Sequence, residues 1–164
     1  MNIFFVDQCP ETAARSLCDK HVVKMPLESA QMLSTAHRLM DGDTYADRIG
    51  LYKAAYQNHP CTVWCRASRD NYRWLFIHFR ALLREYQERY GKEHACSALI
   101  GGLAVIPAGI KDTDLTPPPQ AMPDDVRVPG DVITAYRNYY LIHKSRIAEW
   151  KRMPQRMPQW FCYQ

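Results

Sequence analysis

Apolar residues along this 164-residue chain recur mostly at three- and four-residue steps, the spacing that collects them on one side of an α-helix. The start differs. Ile3-Phe4-Phe5-Val6 is a continuous apolar run closed by Asp7, which reads as a short buried strand or an extended arm. Pro10-Glu11 opens a helix, because proline loses no hydrogen bond at the first helical position and an acid suits the positive end of the helix dipole. From there to about Met40, Ala13, Leu17, Val22, Met25, Met32, Leu33, Ala36 and Leu39 predict helix. Pro26 deprives the Val22 carbonyl of its partner, so a kink or junction is expected at residues 22–26.

Asp41-Gly42-Asp43 stops this run, and residues 44–58 read as a short helix or loop. His59-Pro60 opens a second long helical region with Val63, Ala67, Leu75, Phe79, Leu82, Leu83, Tyr86 and Tyr90 inward, and Gly91 sits where a left-handed cap belongs. A shorter apolar helix over 93–105 is weakened by Gly101-Gly102. The prolines of residues 106–130 demand an extended connection over the surface. Asp131 caps a last helix expected to reach about Arg152, and an aromatic, basic tail fills 153–164. The expected fold is all-α: one helical domain over residues 1–164 with a short N-terminal extended arm.

Composition narrows the class. Hydrophobic residues at 47% and aromatics at 12% supply a packed core and exclude a disordered chain. No apolar run approaches a membrane span, and the N-terminal run lacks the basic leader of a signal peptide. The six cysteines (Cys9, Cys18, Cys61, Cys65, Cys96, Cys162) are then expected as reduced thiols in the cytoplasm. Cys18 with His21, or Cys61 and Cys65 with His59, Cys9 and His94, could be weighed as zinc ligands. The chain has no paired Cys-x-x-Cys, so no metal and no cofactor is expected.

The net charge of +4 permits a polyanionic partner, and the placement of the cations favours one. Arg66, Arg69, Arg73, Arg80 and Arg84 fall within one helical stripe. Lys144, Arg146, Lys151, Arg152 and Arg156 follow, interleaved with Trp150 and Trp160, as phosphate contact and base stacking require. A solvated face paired with Glu85 and Glu88 is the plainer alternative. The densest polar cluster is Asp19 to Glu28. On a helix, His21, Lys24, Glu28, Gln31, Thr35 and Arg38 share one side, which joins a titratable base, an ammonium, a carboxylate and an amide. A simple Lys24–Glu28 pair with a packed His21 is the competing reading.

Asp19-Lys20-His21 with Glu28 seven residues after the histidine, behind a short N-terminal arm, resembles the phage pyrimidine-dimer DNA glycosylase (endonuclease V-like) family. His59 through Gly91, closing in Glu88-Arg89-Tyr90-Gly91, and the Pro158-Gln159-Trp160-Phe161 tail are weaker likenesses. Leu27 and Gln31 stand where that family has arginines. The resemblance implies a DNA N-glycosylase, with or without abasic-site lyase activity, acting on damaged or modified bases. It implies an N-terminal α-amine as nucleophile, here that of Met1, since Asn2 disfavours removal of the methionine; Lys20 or Lys24, if desolvated, or water stand as alternatives. Glu28 becomes the catalytic carboxylate, with His21 and Lys24 beside it. Lys20, Gln31, Arg38, the arginine stripe and Trp160 become DNA contacts. An α-amine ionises near pH ~8, well below a free lysine, which suits a nucleophile. Two other readings remain: a non-catalytic nucleic-acid-binding phage accessory protein, and a nucleotide- or base-modifying enzyme using the same polar row.

Overall fold

Four successive buried side chains, Ile3, Phe4, Phe5 and Val6, begin the computed structural model of this chain, which describes residues 1–162. The arm they form is extended without pairing into a sheet, and both its faces are covered. Phe5 packs between Trp64, Trp74 and Tyr136, while Phe4 lies against His21, Tyr136, Tyr139 and Tyr140. That two-sided burial explains why the run is continuously apolar rather than alternating.

The architecture is all-α, with no strand among the described residues. Helix α1 (Pro10–Ser16) is followed by α2 (Asp19–Asp41), and α5 (Arg69–Tyr90) packs against both. The expected junction near Pro26 is not there: α2 runs through Pro26, and the break falls at Leu17-Cys18, both extended. The cause is tertiary. Arg89 donates from Nη1 to the Leu17 carbonyl (2.8 Å) and from Nη2 to the Arg15 carbonyl (2.9 Å), and Asp19 N–H is taken by the Glu149 carbonyl (2.8 Å). Backbone groups that a continuous helix would satisfy internally are bound from outside.

Helix α3 (Asp43–Arg48) occupies the short segment after Gly42. The expected single helix from residue 60 to 90 is two, α4 (Pro60–Cys65) and α5, because Ser68 accepts a hydrogen bond from Asn71 N (3.0 Å) and caps a new start. The phase shift leaves Val63 and Ala67 exposed, whereas Cys61, Trp64 and Cys65 are buried. Gly91 takes φ 66° and closes α5 as a left-handed cap. A 3₁₀ turn over Ala95–Leu99 and a single turn, α6 (Ile100–Leu103), replace the apolar helix read over 93–105.

The proline-rich run is tied down as well as extended: Ile110, Met122 and Val126 are buried, and the Thr116 carbonyl accepts from Trp64 Nε1 (3.0 Å). Asp131 caps α7 (Val132–Tyr139) through its bond from Thr134 N (3.0 Å). This helix continues only as a π turn over Tyr140–Lys144, far short of Arg152. Residues after it fold back onto the start of α2, where Asp19 accepts from Arg152 N (2.9 Å) and Trp150 is buried. Helix α8 (Gln159–Cys162) ends the described chain, so the last two positions of the 153–164 tail lie outside it. Among the described residues no helix is long and apolar enough to cross a membrane. The six thiols are unpaired, and among the described residues no group of three or more His, Cys, Asp or Glu gathers as a metal site.

Candidate active site

Three turns at the start of α2 put His21, Lys24 and Glu28 on one face, at steps of three and four. The arm crosses that face. Asn2 N–H donates to Glu28 Oε2 at 2.8 Å, and the Met1 α-amine lies 3.6 Å from the same oxygen. Lys24 Nζ sits 3.1 Å from the other oxygen, Oε1. Glu28 is buried but accepts the Asn2 hydrogen bond and faces two cations, which compensates the cost of sequestering a carboxylate. Two amines therefore flank one acid. They differ in setting: the Met1 side chain is sealed against Thr62, whereas Lys24 is largely exposed.

Asn2 anchors the arm. Its Nδ2 donates to the Ala121 carbonyl (2.9 Å), and its Oδ1 accepts from Tyr136 OH (2.9 Å) and from Ile3 N (2.8 Å). The pocket that results, about 140 Å³, is lined by Met1, Asn2, Phe4, His21, Lys24, Met25, Glu28, Tyr139 and Lys144. A larger groove of about 380 Å³ between Trp74, Leu115 and Ile133 has no ionisable side chain in its wall.

His21, the titratable base of the polar row, is buried rather than solvated. Burial, reinforced by the positive charges of Lys144, Lys24 and Lys20, holds its pKa at about 3, so the ring is neutral near pH 7. It stacks on Phe4 with ring centroids 4.3 Å apart and hydrogen-bonds through Nδ1 to Tyr140 OH. His59 sits nearby at the cap of α4, its Nδ1 accepting from Cys61 N at 3.2 Å. Burial lowers its pKa, and so does the Met1 amine, while Glu28 opposes.

The pocket thus joins one buried carboxylate to an amine at each of its two oxygens. A family model described as pyrimidine dimer DNA glycosylase matches residues 1–98. The chain belongs to the pyrimidine dimer DNA glycosylase family. No curated protein and no solved structure matches it. The matched span of this glycosylase-family chain contains Met1, His21, Lys24 and Glu28, while Tyr136, Tyr139, Tyr140 and Lys144 lie beyond it.

The other sequence-read positions scatter. Lys20 is exposed one residue from His21, and Gln31 is half-buried without lining the pocket. Arg38, read as a DNA contact, is turned inward: its side chain is buried and donates to Asp43 Oδ1 (2.6 Å), the Tyr52 carbonyl (2.6 Å) and the Leu51 carbonyl (2.9 Å), with Asp47 at 2.9 Å. It fastens α3 and the following loop to α2, which leaves the guanidinium no free edge. None of the α5-side arginines lines the pocket. Arg66 bonds the Thr62 carbonyl (3.0 Å), Arg69 faces Asp112 (3.7 Å), Arg73 pairs with Asp70, and Arg80 and Arg84 are exposed. Trp160 lies edge-on to Tyr140 (5.8 Å) beneath Arg137 (5.6 Å), with one face already used.

Asn2, Phe4, Tyr139 and Tyr140 escaped the sequence reading as site residues, and Lys144, read there as one of a basic series, lines the pocket itself. The two tyrosines fall in the last helix expected from the sequence, and nothing local tied Tyr140 to His21, 119 positions earlier.

Proposed function

We propose that this protein is a DNA N-glycosylase for damaged or modified bases, with an associated abasic-site lyase step, using the Met1 α-amine as nucleophile. The single observation that supports it is the 3.6 Å approach of that amine to Glu28 Oε2 in one pocket. The amine attacks C1′ of the target deoxyribose as the C1′–N bond breaks, and the base departs with the bonding pair. Glu28 receives the proton that the attacking nitrogen sheds, and its charge stabilises the oxocarbenium-like centre on the way. Cleavage of C1′–O4′, with a proton delivered to O4′, gives an imine. Loss of a C2′ proton from that imine then expels the 3′ phosphate. Lys24 and Lys20 on α2 face the phosphates that flank the sugar, and the exposed arginines of α5 add sequence-independent attraction for the backbone.

Borohydride converts the imine to a stable amine, so trapping on abasic and on ultraviolet-irradiated duplex DNA tests the reading directly. The expected adduct maps by peptide mass to the N-terminal peptide, and Glu28→Gln loses strand nicking. Absence of any adduct together with undiminished nicking by Glu28→Gln removes the enzymatic reading. An adduct on the peptide carrying Lys24 transfers the nucleophile to that lysine. Salt-sensitive binding that survives Glu28→Gln, with no turnover, is the outcome for a non-catalytic DNA-binding protein.

A further inference from the structure

The wall of the pocket opposite the arm comes from residues beyond the matched span. Tyr140 opens the π turn that follows α7, its side chain fully buried, and its hydroxyl meets His21 Nδ1. Irregular helical turns of this kind recur at functional sites because they re-aim a side chain. The hydroxyl has one proton and two lone pairs. Cys18 N–H points at the oxygen from 3.4 Å and uses a lone pair. The proton has two candidate acceptors, Cys18 Sγ at 3.8 Å and the much closer His21 Nδ1. A thiol sulfur is a weak acceptor and an imidazole nitrogen a strong one, so the proton goes to Nδ1. Neutral imidazole carries a single N–H, which must then be on Nε2. That nitrogen has no hydrogen-bond partner among the described residues, and the ring lines the pocket.

We propose that Tyr140 is a positioning residue that fixes His21 as the tautomer protonated on Nε2, and that this N–H is a neutral donor for an oxygen of the deoxyribose–phosphate held beside Glu28. The identity of the ligand rests on the proposed function; the tautomer does not. A neutral donor orients the sugar without adding positive charge to a pocket already bordered by Lys20, Lys24, Lys144 and the Met1 amine, with Glu28 its only buried acid. Phe4 stacked on the ring holds the N–H in one direction.

Long-range proton–nitrogen NMR of the ¹⁵N-labelled protein reads the tautomer in the wild type. The expected spectrum shows His21 with a protonated Nε2 and a lone pair on Nδ1. The Nε2 proton signal should move when a duplex carrying a tetrahydrofuran abasic analogue is added. In Tyr140→Phe the two tautomers mix. Borohydride trapping at saturating enzyme then falls about tenfold, the scale of one lost buried hydrogen bond. A proton on Nδ1 in the wild type overturns the proposal, as does a Tyr140→Phe variant with unaltered tautomer and trapping. Should Tyr140→Phe fail to fold, the wild-type spectrum and its response to the analogue still decide. A wild type that traps no adduct sinks the proposed function instead and leaves the tautomer readable.

Discussion

Replacement of Arg89 by methionine should unfold this protein at markedly lower temperature, because one guanidinium joins three elements that set where α2 begins. The Arg89 side chain is fully buried. It donates to Glu85 Oε2 from Nε (3.2 Å) and Nη2 (3.1 Å), to the Leu17 carbonyl (2.8 Å), to Asp19 Oδ1 (3.2 Å) and to the Arg15 carbonyl (2.9 Å). Removing one member of a buried ion pair costs about 3–5 kcal/mol, because the other charge stays in the interior. Here the remaining acids keep partial company: Glu85 still meets Arg156 at 3.1 Å, and Asp19 keeps the Arg152 N–H at 2.9 Å. The lower end applies, about 3 kcal/mol. At roughly 2–4 °C per kcal/mol for a domain of this size, Tm drops by about 6–12 °C. Differential scanning calorimetry with urea denaturation measures both quantities. Arg89→Met combined with Glu85→Leu removes the stranded charge and should recover at least about 1 kcal/mol. A single variant within about 1 kcal/mol of wild type, or a double variant no better than the single, refutes the staple.

Acid should weaken the fold through its buried imidazoles. His21 is held at about 3 and His78 at about 4, both chiefly by burial, against an ordinary 6.5. Because the folded values lie below the unfolded one, the unfolded chain takes up protons first. Their stabilisation is complete above pH 6.5 and drains away as pH falls toward 4 and 3, at up to about 1.4 kcal/mol per pH unit for each histidine. The urea midpoint should therefore be lower at pH 5 than at pH 7.5, and a flat profile contradicts the burial of neutral rings. Arg38→Ala should cost about 2–3 kcal/mol in urea unfolding, from the orphaned Leu51 and Tyr52 carbonyls and lost acid contacts. Its affinity for abasic duplex should stay within twofold; a large affinity loss without destabilisation would restore Arg38 to the DNA face. Asn2→Ala frees the arm from Ala121 and Tyr136, and trapping on abasic DNA should fall about tenfold or more. Trapping at the wild-type rate would show that the amine needs no such anchor.

Much of the site was written locally. The i, i+3, i+7 spacing of His21, Lys24 and Glu28 places them on one helical face whatever surrounds the helix, and the apolar run after Asn2 demands that the arm be buried. Caps were equally legible at Asp131 and Gly91, since side-chain oxygen and left-handed φ are properties of single residues. What local pattern could not decide was which backbone groups would be caught by distant partners. Arg89 and Glu149 moved the helix break from Pro26 to Leu17-Cys18, and Ser68 divided a periodicity that looked continuous. The same holds for chemistry. Residue type offered His21 as a base and Arg38 as a phosphate ligand, but charge state and free donors depend on burial and neighbours, and only packing supplied Tyr140, Lys144 and a carboxylate-lined clamp. Sequence alone determined the helical faces and the arm. Tertiary structure decided which face became a pocket, because a pocket is made of elements that meet only when the chain has folded.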